Sequence, residues 1–354
     1  MTNTTASRKI VTLEVPEAWF RDSEDGQRHR LFYSSLLAAL ADLGVLVDPV
    51  WLPRGAERAP RPDGAGDATI SFHSHGRAGN ILRCKEGYIS PYYTMDRMGY
   101  ACFSELASHP ERFAAEISRK DARQAGTFVR ALAQGMRKEN RSKYLQPEQG
   151  TDIKSGYLFI PLQVENDSVT KGLWLDKFKA VRCIVEAAAA QRLRVVIKRH
   201  PRCRSKAISA LLSELAQRPN VSLSQASIHT LVADAKLVAG ANSGVLFEAL
   251  IQGKPVISYA ASDFGQATQQ VRTYDELTRA VAAPVTPDPS FRDRFLFWYL
   301  TEYCVQTDDI ATIKLKIEML LDSGAGNRYG VAGHAYRYRL YAYSLADRLR
   351  RRLF

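Results

Sequence analysis

The sequence predicts an α/β protein built as two consecutive units, and three observations carry that reading. Short apolar runs alternate with a helical stretch from Lys9 to His73. A second, tighter alternation begins at Tyr157. Between them lies Lys138–Thr151, charged and polar, with the composition of a connection between domains. At 354 residues, 45% of them hydrophobic, the chain is long enough to bury two cores.

The elements follow in order. Lys9–Val15 reads as a strand, and Arg30–Leu43 repeats Leu31, Leu36, Leu37, Leu40 and Leu43 at helical spacing. Gly44–Val47 is the next strand, Arg54–Asp67 a loop rich in Pro, Gly and Ala, and Ala68–His73 a third strand. Arg112–Arg137 is read as one long helical region. In the second alternation the strands are Tyr157–Val164, Leu193–Ile197, Val221–Leu223, Lys236–Ala239 and Pro255–Tyr259. The helices between them are Trp174–Gln191, Ser205–Gln217, Ile228–Asp234 and Gly244–Gln252, with Phe291–Tyr303 and Ile310–Leu321 as late helices. Connections this short suit a parallel sheet with right-handed crossovers. The expected division is 1–150, 151–290 and a helical remainder, 291–354.

Composition narrows the function without choosing it. A net charge of +12 attracts polyanions: nucleic acid, an anionic membrane surface or a phosphate-bearing substrate. No stretch approaches the ~20 apolar residues of a membrane span, and the start lacks an apolar leader, so the expected location is cytoplasmic. Cys84, Cys102, Cys183, Cys203 and Cys304 form no CxxC pair, which speaks against a zinc cluster or a disulfide framework. Tyr336–Phe354 carries six arginines against Asp347, and Tyr338, Tyr341, Leu345, Leu349 and Leu353 fall at helical spacing. That pattern fits an interfacial helix on an anionic membrane, or a helix packed back on the first domain.

Three strand ends carry candidate chemistry. Phe159–Val164 delivers Gln163, Glu165, Asp167 and Ser168 in quick succession. Were strand geometry to continue, Gln163, Glu165 and Asp167 would share one side, a pair of carboxylates suited to nucleophile or base. The other reading is a solvated loop with Asp167 or Ser168 as a helix N-cap. Val195–Ile197 ends in Lys198, Arg199 and His200 before Pro201, three cations suited to phosphate or carboxylate. Leu237–Gly240 runs through Asn242, Ser243 and Gly244 into a helix bearing Glu248. Free N–H groups at that helix start favour an anion, and Glu248, one turn in, is within reach of ribose hydroxyls; Asn or Ser there is also ordinary capping. Neither Walker A nor GxGxxG is present. In the first half, Lys85–Arg97 gathers Glu86, Tyr88, Tyr92, Tyr93 and Asp96 in what is either a packed loop or a sugar-binding surface.

Taken in order, these motifs resemble the capsular polysaccharide synthesis family of bacterial glycosyltransferases. The residues that carry the resemblance are Glu86-Gly87-Tyr88 with Asp96-Arg97-Met98-Gly99, then Pro161-Leu162-Gln163-Val164-Glu165-Asn166-Asp167-Ser168. Lys198-Arg199-His200-Pro201, Asn242-Ser243-Gly244 and Glu248-Ala249-Leu250 before Gly253-Lys254-Pro255-Val256 complete it. The resemblance spans roughly Ser71–Tyr259. It implies a GT-B fold, two Rossmann-like domains facing a central cleft, with C-terminal helices. It also implies transfer of Kdo from CMP-Kdo to a surface glycan or glycolipid, with retention through a covalent intermediate on Asp167. Glu86, from the first domain, would then be the base for the acceptor. His200 would contact the donor phosphate, and Gln163, Glu165, Ser168, Lys198, Asn242, Ser243, Gly244 and Glu248 would bind the donor. The resemblance requires no cofactor or metal, the CMP-sugar being the donor substrate. Here Lys85-Glu86 and Ser90-Pro91 replace the family's usual acidic pair and following arginine, so a cation for the sugar carboxylate would come from Arg77, Arg83 or Arg97. Two rivals remain: a UDP-N-acetylhexosamine 2-epimerase-like enzyme, and a basic membrane- or nucleic-acid-binding protein. No nucleic-acid motif accompanies the charge, so nucleic acid is not an expected partner.

Overall fold

A computed structural model of the chain describes residues 9–21, 26–52, 66–77, 79–148 and 153–323, with scattered positions of the C-terminal segment. Twelve strands are present among these residues: β1 (Ile10–Pro16), β2 (Leu46–Leu52), β3 (Ala68–Phe72), β4 (Ile81–Glu86), β5 (Tyr92–Asp96), β6 (Tyr157–Pro161), β7 (Val195–Lys198), β8 (Val221–Leu223), β9 (Ala235–Gly240), β10 (Val256–Ser258), β11 (Gln269–Gln270) and β12 (Cys304–Gln306). They form two six-stranded sheets, ordered β12-β5-β4-β3-β1-β2 and β11-β10-β9-β6-β7-β8.

Contacts divide the chain into two compact units that no single cut in the sequence separates. One holds Met1–Lys85, Tyr93–Gly99 and Val305–Phe354, and the other holds Glu86–Tyr92 and Tyr100–Cys304. Residues 100–148 therefore group with the second sheet, where the sequence reading gave them to the first. The reason is packing. Helix Ala122–Glu139 buries Val129, Ala133 and Met136 in the same core as Phe247, Phe295 and Trp298.

In the first unit, β1 pairs in parallel with β2 and β3, and β3 with β4. Helices Gly26–Asp42 and Ile310–Ser323 supply Phe32, Leu36, Leu40, Ile313 and Ile317 to the core beneath β1, β3, β4 and β5. The late helix thus belongs to the first sheet, and β12 adds its edge strand. Sequence reading missed β4 and β5: their polar ends look like loop, whereas Tyr92, Tyr93, Thr94, Met95 and Asp96 are all buried. Asp96 accepts the N–H groups of Met98 and Gly99 at 2.6 and 2.7 Å, a local turn. Arg83 is buried and donates to the carbonyls of Arg97 and Arg77, which commits it to the fold.

In the second unit every pairing is parallel. Numbered within the sheet, the order is 3-2-1-4-5-6, the doubly wound arrangement whose strand order reverses between β6 and β9. Helices cover both faces, so the central strand β6 is apolar and buried at every position instead of alternating. Tyr157 and Phe159 of β6 enter one core with Phe247 and Phe264, while Leu158 and Ile160 enter the other with Ile184 and Leu211. The expected helix Arg112–Arg137 is broken into a 3-10 turn Pro110–Phe113, helix Ala114–Ser118 and helix Ala122–Glu139. Asp121 restarts it, accepting Gln124 N–H at 2.7 Å. Most of Tyr336–Phe354, including Tyr338, Tyr341, Arg351 and Leu353, lies outside the described residues; Leu345 and Leu349 are helical and exposed. Among the described residues no helix is long and apolar enough to cross a membrane.

Tyr88 and Tyr299 both donate to buried Asp263, at 2.6 and 2.9 Å. Asp263→Ala leaves two phenols unsatisfied in a core where each costs ~1–3 kcal/mol. Urea unfolding is expected to record a loss of roughly 2–5 kcal/mol for this variant.

Candidate active site

The reversal of strand order places the carboxyl ends of β6 and β9 side by side, the position where open α/β sheets bind ligands. Gln163, just past β6, donates from Nε2 to Asn242 Oδ1, just past β9, at 3.0 Å. Asn242 is buried, and its own Nδ2 donates to the carbonyls of Val169 and Ala261, each at 3.0 Å. One amide therefore joins three loops, with both its protons and its oxygen occupied.

Asp167 follows from this joint. The strand does not continue to Asp167: β6 ends at Pro161, and the chain turns as Asp167 N–H reaches back to Val164 carbonyl at 3.4 Å. The expectation that Gln163, Glu165 and Asp167 share one strand face is thereby corrected. The sheet partner β7 ends at Lys198, so no ladder remains to hold the chain extended. Asp167 instead caps the 3-10 turn Ser168–Gly172. Val169 N–H and Ser168 hydroxyl both approach its Oδ1, at 3.3 and 3.4 Å, so the cap orients the carboxylate while using one oxygen. Asp167 and Ser168 are exposed. Ser168 also meets Tyr100 hydroxyl at 3.0 Å. Glu165 is held through its carbonyl by Lys177 Nζ at 2.5 Å.

The cationic strand end divides three ways. Lys198 is buried, and its ammonium donates to the carbonyls of Gln225 and Ala226, so it ties β7 to a neighbouring loop. Burial lowers its pKa. Arg199 turns to Ser209 hydroxyl and Ser205 carbonyl, at 2.9 and 3.0 Å, near the start of helix Lys206–Leu215. His200 accepts Arg202 N–H on Nδ1 at 3.1 Å, so the neutral ring carries its proton on Nε2. Its pKa is lowered, first by burial, with Arg202 and Lys143 adding to the effect and Asp167 opposing it. That balance puts Asp167 and Lys143 within electrostatic reach of the imidazole.

Ser243 caps helix Gly244–Ile251, accepting Val245 N–H at 3.3 Å. A Cβ at Gly244 would stand 3.5 Å from Tyr88, an ordinary contact, so packing alone does not demand glycine there. Glu248 is fully buried. Its Oε1 accepts Ser142 hydroxyl at 2.7 Å, and its Oε2 lies 3.9 Å from His229 Nε2 with no hydrogen-bond partner among the described residues. Glu86 accepts Lys143 Nζ at 3.2 Å. It groups with the second unit, and so do all the other predicted site residues.

Sequence reasoning missed Tyr100, Ser142, Lys143 and Tyr144. The last three lie in the stretch read as a linker, where the only signal was polar density beside a helix end. The aromatics of Lys85–Arg97 are core: Tyr88 stacks on Phe247 at 5.1 Å between ring centroids, and Tyr93 is buried.

Residues 117–271 match the profile of the family described as capsule polysaccharide biosynthesis protein. The matched stretch is less than half of the chain and includes three of the motifs that carry the resemblance. Among curated proteins, Protein FixF of Sinorhizobium fredii (strain NBRC 101917 / NGR234) is 31% identical over 163 residues, covering 44% of this chain and 40% of that protein. Two solved structures from Thermosulfurimonas dismutans KpsC align over 89% of this chain. The beta Kdo 2,4 transferase gives a TM-score of 0.50 at 13% identity and covers 98% of that chain. The beta Kdo 2,7 transferase gives 0.47 at 15% identity and covers 99% of that chain. At these identities the likeness is one of fold, and the fold is GT-B, with two Rossmann-like units. The matched residues include Gln163–Ser168, His200 and Asn242–Glu248, but begin after Glu86 and Tyr100.

Within that segment Glu248 sets a pH limit. Burial raises its pKa to about 8, with the Ser142 hydrogen bond opposing the shift. A carboxyl raised on folding stabilises fully below the unfolded value of about 4.3, and that contribution is lost as pH climbs through the folded value. Wild-type stability should therefore fall by a few kcal/mol from about pH 5 to about pH 9, and Glu248→Gln should flatten the decline. Urea unfolding of both proteins across this range checks it, and equal slopes would refute the assignment.

Proposed function

We propose that this chain is a glycosyltransferase that moves Kdo from CMP-Kdo to a bacterial surface glycan or glycolipid, with retention at the anomeric carbon. The observation that carries the reading is Asp167: a carboxylate capped through one oxygen, within electrostatic reach of His200, beside the strand-order reversal. The match to the capsule biosynthesis family supports the reaction class, and the PLQVENDS stretch supports the donor.

In the first step Asp167 Oδ2 attacks the anomeric carbon, and the bond from that carbon to the CMP phosphate oxygen breaks. His200 hydrogen-bonds the departing phosphate through its Nε2–H without giving up the proton, and CMP leaves as the anion. Ser243 hydroxyl and the N-terminus of helix Gly244–Ile251 hold the same phosphate. Gly244 leaves the backbone open to it. In the second step Glu86 takes the proton from an acceptor hydroxyl, whose oxygen attacks the anomeric carbon and releases Asp167. This double displacement follows the two-carboxylate logic of retaining glycosidases. Glu248 is sealed in the fold and acts only through its hold on Ser142, instead of reaching ribose hydroxyls, while Gln163 and Asn242 set the loop geometry. With His200 and a helix N-terminus on the phosphate, the reading needs no metal or other cofactor. The basic segment Tyr336–Phe354 would bring the enzyme to an anionic membrane surface, consistent with exposed Leu345 and Leu349.

Incubation with CMP-Kdo should add one Kdo mass to wild-type protein, read by intact mass spectrometry. Asp167→Asn should give no adduct, and His200→Ala should slow CMP release by ~100-fold or more. An adduct on Asp167→Asn would remove Asp167 from the nucleophile role. Inversion at C2 of UDP-N-acetylglucosamine without an acceptor would favour the epimerase reading instead.

A further inference from the structure

The residues after helix Ala122–Glu139 form a strap laid along the second unit. Asn140, in a left-handed conformation at φ 48°, ends the helix and turns the chain. From there the strap is fixed at Asn140, Arg141, Ser142 and Gln146. Ser227 hydroxyl donates to Asn140 Oδ1 at 2.5 Å, and His229 Nε2 donates to Arg141 carbonyl at 2.9 Å. Ser142 donates to Glu248, and Ile228 N–H donates to Gln146 Oε1 at 3.0 Å. The anchors Ser227, His229 and Glu248 are themselves buried, so the strap has one position.

What the strap carries is Lys143 and Tyr144. Tyr144 stands edge-on to the His200 ring, 5.0 Å between centroids, with the Arg202 guanidinium 4.9 Å from its own centroid. Lys143 reaches Glu86 at 3.2 Å, and its charge also depresses the pKa of His200. One ammonium therefore sits on the carboxylate proposed as base, and the next residue along the strap packs on the imidazole proposed to meet the phosphate. The Lys143 side chain is a quarter exposed, which leaves it room to turn. Lys198, the lysine that sequence analysis favoured for this task, has its ammonium bound to two carbonyls of its own unit.

We infer that Lys143 is an anion-binding residue for the donor, parked on Glu86 in the empty enzyme and drawn to the phosphate of a nucleoside monophosphate sugar when it binds. This rests on the donor and base roles proposed above. The exchange makes and breaks no covalent bond. Its chemical effect is on Glu86, which loses a cation as the donor arrives and so becomes a stronger base for the acceptor hydroxyl. The donor phosphate and the base compete for one charge, and donor binding settles the competition in favour of catalysis.

The competition gives a test that a merely structural lysine would fail. CMP and cytidine binding are measured by calorimetry on the full chain for wild type, Lys143→Ala, Glu86→Gln and the double variant. Lys143→Ala should weaken CMP about tenfold and leave cytidine unchanged, and Lys143→Arg should restore most of the loss. Glu86→Gln should tighten CMP about threefold by freeing the ammonium, and the gain should vanish in the Lys143→Ala background. Three results overturn the inference while leaving the donor reading intact. They are CMP binding by Lys143→Ala equal to wild type, equal losses for CMP and cytidine, and a Glu86→Gln gain that persists without Lys143. Failure of wild type to bind either CMP or cytidine would instead remove the donor reading, and this inference with it.

Discussion

The second unit is organised by the hydrogen bond between Gln163 and Asn242. Parallel sheets whose strand order reverses leave a gap at the carboxyl edge, because the chain departs in opposite directions on either side. Here that gap is closed by one pair of amides. Asn242 then uses its remaining protons on the loops after Asp167 and after β10, so three connections take their positions from one buried side chain. An apolar residue of the same shape would take a partner from three polar groups, Gln163 Nε2 and the carbonyls of Val169 and Ala261, which is why an amide fits this position.

Capping and chemistry turn out to be compatible at Asp167. A carboxylate in an N-cap is held by backbone N–H groups, a fixed orientation that a free loop side chain lacks. Because both contacts fall on one oxygen, the other keeps its lone pairs for a reacting centre. Glu248 shows the opposite arrangement. It is sealed in the fold with one oxygen on Ser142 and the other near His229, where its charge is costly. Two acids of the same motif set therefore stand in opposite surroundings, one exposed and one sealed.

Much of the architecture was legible in the sequence because buried parallel strands advertise themselves. Runs such as Tyr157–Pro161 and Val195–Lys198 are buried at every position and apolar at all but Lys198, and the turns between them are polar and short. β4 and β5 escaped for the converse reason. Arg83, Lys85, Glu86, Thr94 and Asp96 are charged or polar, and what makes them strand is tertiary: Arg83 is buried by backbone carbonyls brought from Arg77 and Arg97. Strand periodicity past Pro161 failed because a ladder needs a partner, and β7 had ended. The candidate residues of the three strand ends were legible because carboxyl edges follow from the strands themselves. Lys143 and Tyr144 were not. Their stretch has no periodicity, and its fixed course depends on Ser227, His229 and Glu248, which no local pattern links to it.

The edge strand β12 and the helix Ile310–Ser323 complete a sheet whose other strands were laid down near the beginning of the chain. On the ribosome, β5 emerges with its outer edge unpaired and waits until the whole second unit has been synthesised. The unit that comes later in the chain is thus the first that can finish folding. An unpaired strand edge is a template for association with other chains. Until β12 is synthesised, the edge of β5 is covered by nothing that the earlier part of the chain supplies to that sheet.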